Sequence, residues 1–573
     1  MFRPNPRTQQ PALLSDLDLL PAQQRERLEA SWAGTFRREV FARLDERPFA
    51  VLYSRSASRP NIPINVLVSL EALKVGFNWS DAELLDAFLF NLQVRYAVGY
   101  ENLGDGEFDL RSVYNFRRRL SEYERASGVS LFDQAFAQIT DEQVTAFQVK
   151  TGRLRMDSTQ IASNVRHFSR LQLLVEIAQR VYRMLTVADQ IRYAERFPPY
   201  LRGTSGQFIY HLKGATITPH LQHLGELFHA LRLELEPTYA AHDTYHLLAR
   251  VFREHFDIQD TAQGASRSVP KPSAALSPTN VHTPDDLDVT YRTQGGVAYE
   301  GYVANVTETC EPDNPFQLIV LTQTAPNVTD DTPLLREALP ALTARTEVHM
   351  LHTDGGFGSP DVDAALRPHR IVQIQSAFRG PVPDPDGLTF ADFEPTVPDG
   401  TTMQLICPHG QTATLEPGRK PARFIARFDC PPDCPRLAAC PTRARRTDAQ
   451  RSLHLRQADL DLAQRRRNAR AARAEPGNLR AAVEATVAAL KRPFADDQLP
   501  VRGRYRIRHL IAASAFMVNL RRIHRHLSQQ GEKARTTPES ETVKATPLSL
   551  ACSFFAALGR FAQNERGALA LGC

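Results

Sequence analysis

The sequence predicts a multidomain α plus α/β protein, in which a helical N-terminal domain precedes an α/β core that two insertions interrupt. Three observations favour this fold class. Apolar residues recur at helical spacing through residues 1–150, strand-like apolar runs alternate with helical patterns from residue 151, and four of the seven cysteines fall between Cys407 and Cys440. A chain of 573 residues has room for about three or four domains of ordinary size.

Composition and charge narrow the class of protein. The chain is 42% hydrophobic and 23% charged, and no apolar run approaches the roughly 20 residues of a membrane span. Its first residues lack the apolar stretch of a signal peptide. We therefore expect a cytoplasmic protein with no membrane partner, whose cysteines are thiols or metal ligands rather than disulfides.

The N-terminal domain, residues 1–150, contains clear helical patterns. Apolar residues follow helical spacing over residues 64–77, and Ser80 with Glu83 forms a capping-box pattern that begins a second helix. A third pattern covers residues 110–120. These patterns predict an all-helical domain.

The core, residues 151–378, alternates strands and helices. Strands are predicted over 151–157, 297–303, 316–321, 347–351 and 371–374, and helices over 333–345 and 361–366. A helical insertion of about residues 161–280 interrupts this series and ends in a Pro/Ser-rich linker, residues 266–280. Without the insertion, this is the element order of a ribonuclease H-like α/β core.

The remaining segments complete the predicted plan. Residues 379–474 form a cysteine-rich insertion and a basic stretch, and residues 475–527 return to the core with a helix that Asn478 caps. An apolar stripe of Val483, Val487 and Leu490 packs that helix on the sheet. A polar, disordered linker over 528–545 and a short amphipathic helix over 548–561 are predicted to end the chain.

Three acidic residues stand out within this plan. Asp157 in Arg155-Met156-Asp157-Ser158-Thr159 and Asp354 in Thr353-Asp354-Gly355-Gly356 lie where strands are predicted to end, and Glu484 lies within the late core helix. Three carboxylates delivered in this way suit a pair of divalent cations acting on a phosphodiester. Alternatively, each aspartate caps a turn, and Glu484 is a surface residue with Glu475, Asp496 and Asp497 as rivals.

With these residues the chain resembles bacterial insertion-sequence DDE transposases that have a ribonuclease H-like catalytic core. The resemblance extends over nearly the whole length. Arg480, Glu484 and Lys491 match the arginine, glutamate and lysine of a Tyr-Arg-Glu-Lys signature in one branch of these enzymes. Gly477 stands where the signature has its tyrosine, which weakens any role normally carried by that residue.

The resemblance implies a site and its chemistry. Asp157, Asp354 and Glu484 would hold two Mg²⁺ ions, which activate the attacking water or 3′-hydroxyl and stabilise the leaving oxygen. Arg480 and Lys491, on nearly the same helix face as Glu484, would grip the flanking phosphates.

The cysteine-rich insertion predicts a structural zinc site. Cys407, Cys430, Cys434 and Cys440 would form a closed Cys₄ site that gives a loop-rich segment a rigid core. His409 could replace one cysteine, and four unliganded thiols are the alternative.

Positive charge is concentrated next to this insertion. Twelve arginines and four acidic residues lie between Arg436 and Arg480, although the whole chain carries a net charge of only +5. Predicted DNA-phosphate contacts are Arg465, Arg466, Arg467, Arg470, Arg502 and Arg504. Arg117, Arg118 and Arg119 are candidates for a DNA-recognition helix. For either set of arginines, the alternative interpretation is a solvated helix face with no DNA contact.

The function that the resemblance implies is metal-dependent DNA strand cleavage and strand transfer at the inverted-repeat ends of the protein's own mobile element. Its partners would be double-stranded DNA, both terminal repeats and target, and a second copy of the chain when two ends are paired. A nucleoid-associated location follows from that substrate. The alternatives are a nuclease of the same fold, or an inactive DNA-binding regulatory descendant.

Overall fold

A computed structural model describes residues 1–5, 15–56, 60–210, 212, 214–260, 266–380, 384–445, 450–474, 479–494 and 499–536. The chain divides into two compact units, Met1–His524 and Arg525–Cys573. The first unit mixes helices and sheets in several layers, as expected of a multidomain α+β protein. No helix in the described ranges is long and apolar enough to cross a membrane.

The N-terminal part is helical, as predicted. Its helices are α1 (Ala22–Ala30), α2 (Trp32–Phe36), α3 (Ile64–Phe77), α4 (Asp81–Phe90), α5 (Leu92–Ala97), α6 (Leu110–Ser127) and α7 (Leu131–Ala146). Ser80 accepts a hydrogen bond from the Glu83 amide and Glu83 accepts one from the Ser80 amide, so the predicted capping box begins α4.

A mixed six-stranded sheet lies within the first unit. Its strands are β1 (Arg153–Ala162), β4 (Thr290–Gln294), β5 (Val297–Thr309), β6 (Ile319–Pro326), β7 (Met350–Thr353) and β8 (Val372–Gln375). Two further strands, β2 (Phe256–Asp260) and β3 (Ser266–Pro270), form a separate hairpin. The order across the sheet is β4-β5-β1-β7-β8, and β6 also pairs with β5. β1, β7 and β8 are parallel, whereas β5 is antiparallel to β1 and β6.

The predicted core elements are present with shifted ends, and one shift concerns a candidate site residue. β1 continues for five residues beyond Asp157, so the prediction that Asp157 ends its strand is wrong. The next three β1 residues, Ser158, Thr159 and Gln160, are polar and half-buried, and β5 pairs with them. The polarity of these residues predicted a strand end. They instead lie in the part of β1 that has lost its pairing with β7 and is paired with β5 alone.

A helical insertion separates β1 from β4. It contains α8 (Arg170–Met184), α9 (Val187–Arg192), α10 (Ser205–Tyr210), α11 (Ile217–Tyr239) and α12 (Asp243–His255), with its own apolar core. The predicted linker over 266–280 is wrong in its first part, because β3 pairs there with β2. The buried Asp286 ties the end of the insertion to the sheet, accepting hydrogen bonds from Ser163, Tyr302 and the Gly503 amide.

The cysteine-rich segment is a second sheet rather than a loop-rich region. Two helices of the core, α13 (Asp331–Arg345) and α14 (Pro360–Leu366), precede it in the chain. Its strands are β9 (Glu394–Thr396), β10 (Gln404–Ile406), β11 (Thr412–Pro417), β12 (Arg423–Phe428), β13 (Arg443–Ala444) and β14 (Arg451–Arg456), in the order β13-β14-β12-β11-β10-β9. Alternating apolar residues such as Leu405, Ala426 and Leu453 form a small core beneath this sheet.

Three helices follow: α15 (Gln457–Ala474), α16 (Ala481–Lys491) and α17 (Arg504–Thr536). Val483 and Leu490 are fully buried on α16, as the apolar stripe predicted, whereas Asn478 lies outside the described residues. The predicted linker from residue 528 is wrong up to Thr536, because Gln, Glu, Lys and Ala residues continue α17. Residues 537–573, with the predicted last helix, lie outside the described ranges.

The middle of α17 joins the N-terminal helices to the mixed sheet. Phe516 packs edge-on against Phe132 and Phe136 of α7, with ring centroids 5.7 and 5.0 Å away. On the sheet side, the Asn519 side chain accepts a hydrogen bond from the Ile319 amide at 2.8 Å and donates one to the Ile319 carbonyl at 2.9 Å. One buried side chain therefore completes the backbone bonding of β6 at its first residue.

We expect Asn519→Ala to lower the free energy of unfolding by about 2–4 kcal/mol, because two buried backbone groups lose their partners. Urea denaturation followed by circular dichroism measures this change. Arg118→Ala removes an exposed ion pair to Glu122 and serves as the control, with an expected loss below about 0.5 kcal/mol. A similar loss in both variants would contradict this role for Asn519.

Candidate active site

The first two candidate acids lie where two parallel strands separate. β1 and β7 are paired at Arg153, Leu154 and Arg155, and the pairing ends where Arg155 faces His352. Asp157 and Asp354 each follow two residues later, so they occupy the same level on neighbouring chain segments. Side chains at one level of adjacent parallel strands point to the same face of a sheet. The two carboxylates therefore converge at the opening between the strands.

Asp354 also shapes the turn that follows β7. Its carboxylate accepts a hydrogen bond from the Gly356 amide at 2.7 Å, and its carbonyl accepts one from the Gln375 side chain at 3.3 Å. The turn-capping role weighed as an alternative is thus present, and it fixes the direction of this side chain.

A further carboxylate, Asp331, lies at the same place and was missed by the sequence analysis. It is the first residue of α13, and it accepts a hydrogen bond from Ser158 at 2.5 Å. A Cβ atom added to Gly356 would fall 2.0 Å from one Asp331 oxygen and 2.9 Å from an Asp354 oxygen. Both carboxylates therefore border the same glycine, which leaves no room for a side chain there.

The only sequence signal for Asp331 was its position two residues before the helix predicted over 333–345, where acidic residues are common for helix-dipole reasons alone. Arg379 lies 3.8 Å from its other oxygen and supplies a positive charge at the edge of the site.

Helix α16 supplies the third candidate acid. Val483 and Thr486 face the sheet, and Glu484 between them is 68% exposed. Arg480 at the start of this helix lies 3.5 Å from Asp157 and 3.8 Å from Glu484. One guanidinium therefore lies between the strand acid and the helix acid. Lys491, at the last position of α16, is partly buried seven residues further on.

The electrostatics of the site follow from burial and crowding. The pKa of Asp157 is raised to about 6, mainly by burial; Arg480 acts against this shift, and the charges of Asp354 and Asp331 add to it. Burial also raises the pKa of Asp331, with Ser158 acting against the shift and Asp354 adding to it. A hard divalent cation would stabilise the ionised form of such closely spaced carboxylates, because their oxygens are the ligands that it prefers.

Within the described ranges, no group of three or more His, Cys, Asp or Glu residues has the spacing to hold a metal ion. At the acidic site, the Arg480 guanidinium lies between the carboxylates of Asp157 and Glu484. The donor chemistry nevertheless fits Mg²⁺, because every donor is a carboxylate oxygen.

The predicted DNA-contacting arginines fall into two groups. Arg465 is buried, 3.2 Å from Asp363 and hydrogen-bonded to Gln375, and Arg467 is half-buried and donates to the Phe393 carbonyl. Their charge serves the packing of α15 on the core. Arg466 is partly buried over the Phe378 ring.

The second group reaches solvent. Arg470 and Arg502 are about half-exposed and are paired with Asp392 and Asp285, and Arg504 is exposed at the start of α17. In the N-terminal domain, Arg117 is turned inward to Glu71 and Asp81, whereas Arg118 is exposed.

The four cysteines of the insertion share one small cavity of about 20 Å³, together with His409 and Thr442. Burial raises the pKa of Cys430, and the nearby thiols of Cys440, Cys407 and Cys434 add to this shift. The Gln411 amide lies 3.3 Å from the sulfur of Cys407, in the turn that joins β10 and β11. The cysteines are therefore neighbours, although their spacing is not that of a metal site as they stand.

The fold and site together define an α/β protein in which several carboxylates lie close together, at the point where two parallel strands of the sheet separate. Two family models match the chain: "Transposase DDE domain" over residues 398–524 and "Transposase domain (DUF772)" over residues 25–119. These matches support an insertion-sequence transposase of the DDE type. The first match includes Arg480, Glu484 and Lys491, whereas Asp157 and Asp354 lie outside both. No curated protein and no solved structure matches the chain.

The raised pKa of Asp157 gives a prediction about stability. An ionised Asp157 costs stability in the folded protein, and this cost grows as the pH rises from about 4 to above 6. We expect Asp157→Asn to raise the free energy of unfolding of metal-free protein by about 3 kcal/mol at pH 8 and by only about 0.5 kcal/mol near pH 4. Urea denaturation at the two pH values measures the difference.

Glu484→Gln is the matched control for this experiment, because Glu484 is largely exposed and its ionisation carries little burial cost. An equal gain in both variants, or a gain in Asp157→Asn that is as large at pH 4 as at pH 8, would show that ionisation of Asp157 does not lower stability.

Proposed function

We propose that the chain is a DNA transposase that performs metal-dependent strand cleavage and strand transfer at the inverted-repeat ends of its own insertion sequence. The observation that carries this proposal is that Asp157 and Asp354 lie where β1 and β7 separate, with Arg480, at the start of α16, between Asp157 and Glu484. The two transposase family matches support the same class of enzyme.

The mixed sheet supports a ribonuclease H-like core. Three strands that pair antiparallel in succession, β6, β5 and β1, are followed in the sheet by the parallel strands β7 and β8. On this proposal, the helical insertion and the cysteine-rich sheet are additions to that core.

Each residue of the proposed site has a role that its position allows. Asp157, Asp354 and Glu484 would hold two Mg²⁺ ions, whose positive charge would lower the pKa of the attacking hydroxyl and stabilise the leaving oxygen. Arg480 would neutralise part of the carboxylate charge and contact a DNA phosphate, and Lys491 would contact a phosphate further along α16. Arg470, Arg502 and Arg504 have the exposure that binding of double-stranded DNA requires.

Excision in cells tests the proposed function. A marker is flanked by the DNA ends that border the gene, and we expect Asp157→Asn, Asp354→Asn and Glu484→Gln each to lower excision at least about a hundredfold. Asp313→Asn, an equivalent change at a residue that is 78% exposed, is the control and leaves excision unchanged.

The other outcomes separate the alternative functions. Cleavage of the ends without joining would favour a nuclease of the same fold. Binding of the ends by an inactive wild-type protein would favour a regulatory descendant. Full excision by Glu484→Gln alone would move the third acid to another residue.

We also propose that Cys407, Cys430, Cys434 and Cys440 hold a structural zinc ion. Four thiols around a cavity of one-atom size, at the base of a small sheet, support this proposal. A bound zinc would fix the β10–β11 turn against the segment that carries Cys430 and Cys434.

Metal analysis tests the zinc proposal. We expect about one zinc per chain in protein purified without chelators, and less than about one fifth of that in Cys430→Ser. Cys310→Ser changes a buried cysteine outside the cluster and should keep its zinc. A wild-type protein without zinc would contradict the proposal.

A further inference from the structure

A buried carboxylate, Glu308, connects the strand that carries Asp157 to the helix that carries Glu484. Glu308 lies on β5, is fully buried, and faces Arg155 across the β1–β5 pairing. Arg155 donates to one Glu308 oxygen at 2.6 Å, and Arg522 of α17 donates to the other at 2.7 Å. The carboxylate is thus paired on both sides, as a buried charge must be.

The third partner of Glu308 belongs to α16. The Thr486 hydroxyl lies 2.7 and 2.9 Å from the two Glu308 oxygens, and Arg522 donates to the same hydroxyl. Thr486 is buried and stands two residues after Glu484 in the same helix. The helix is therefore fixed to the sheet by a directional polar contact next to its exposed acid.

A second contact fixes the beginning of α16. Arg155 uses another nitrogen to donate to the Leu479 carbonyl at 2.7 Å, one residue before Arg480. Arg155 and Asp157 lie two apart on β1, so both side chains leave the same face of the strand. One strand face therefore carries a candidate acid and the residue that holds the opposing helix in place.

We propose that Glu308, Arg155 and Thr486 are positioning residues that set the place of Glu484 relative to Asp157. This inference rests on the proposed function, because Glu484 needs a fixed position only if it acts with Asp157 on one reacting phosphate. Apolar packing by Val483 and Leu490 holds α16 on the sheet, but it does not define rotation about the helix axis or sliding along it. Directional bonds on both sides of Glu484 restrict both movements.

Thr486→Val is the sharpest test, because it keeps the side-chain shape and leaves Glu308 paired with two arginines. Cleavage of a labelled duplex that carries an element end is measured with full-length protein over a range of Mg²⁺ concentrations, below the melting temperature of every variant. We expect the cleavage rate at saturating Mg²⁺ to fall about 10- to 100-fold, with DNA binding within about twofold of wild type. Thr486→Ser, which restores the hydroxyl, should return to within about threefold.

Thr309→Val is the matched control. Thr309 is also fully buried on β5, and its hydroxyl donates to Gln317 at 2.7 Å and accepts from the Leu318 amide, but it makes no contact with α16 among the hydrogen bonds of the described residues. It should lower the melting temperature and keep the cleavage rate. Equal rates for Thr486→Val and wild type, or an equal loss in Thr309→Val, would overturn the positioning role.

Amide hydrogen exchange of α16 separates this inference from the proposed function. If the wild-type protein does not cleave the DNA ends of its element, the proposed function fails. Amide hydrogen exchange then decides whether Thr486 fixes α16. Faster exchange over Ala481–Lys491 in Thr486→Val, but not in Thr309→Val, would support a positioning contact. Unchanged exchange in both variants would overturn it.

Discussion

The separation of β1 from β7 is the constraint on which the rest of the site depends. As long as two parallel strands stay paired, their backbone groups bond each other and leave no space between them. Here the pairing stops after Arg155 and His352, and β1 continues with β5 alone. The resulting gap admits the Asp354 turn and the start of α13, so carboxylates from three elements meet there. Asp157 and Asp354 reach this gap from the backbone positions that β1 and the turn after β7 give them.

That gathering of charge has consequences for neighbouring elements. The charge of Asp354 raises the pKa of both Asp157 and Asp331, while Arg480 lies 3.5 Å from Asp157 and Arg379 lies 3.8 Å from Asp331. By contrast, Glu308 is fully buried and tightly paired. The molecule thus combines one fully paired carboxylate, which contacts α16 through Thr486, with neighbouring carboxylates whose repulsion the arginines offset only in part. A cation-binding site requires this combination, because the carboxylates must be held in place and must keep negative charge that their surroundings have not neutralised.

Local signals in the sequence were sufficient for elements whose ends are decided locally. The Ser80–Glu83 capping box predicted the start of α4, because both partners lie within one turn. Long-range pairing decided the rest. The polar residues after Asp157 looked like a strand end, and only the register with β5 shows that the strand continues. Asp331 belongs to a helix start that looks ordinary in sequence, and Arg465 looks like a surface arginine until Asp363 and Gln375 meet it.

The way the helical insertion joins the sheet has an evolutionary consequence. Its two ends leave and re-enter at one point, where Asp286 bonds Ser163, Tyr302 and the Gly503 amide. The enclosed helices pack on an apolar core of their own, so their length and sequence can drift without moving Asp157. Neither family match extends into this region, since both end or begin outside residues 120–397. Because the insertion has an apolar core of its own, changes inside that core can be absorbed there without a change in the sheet that carries Asp157.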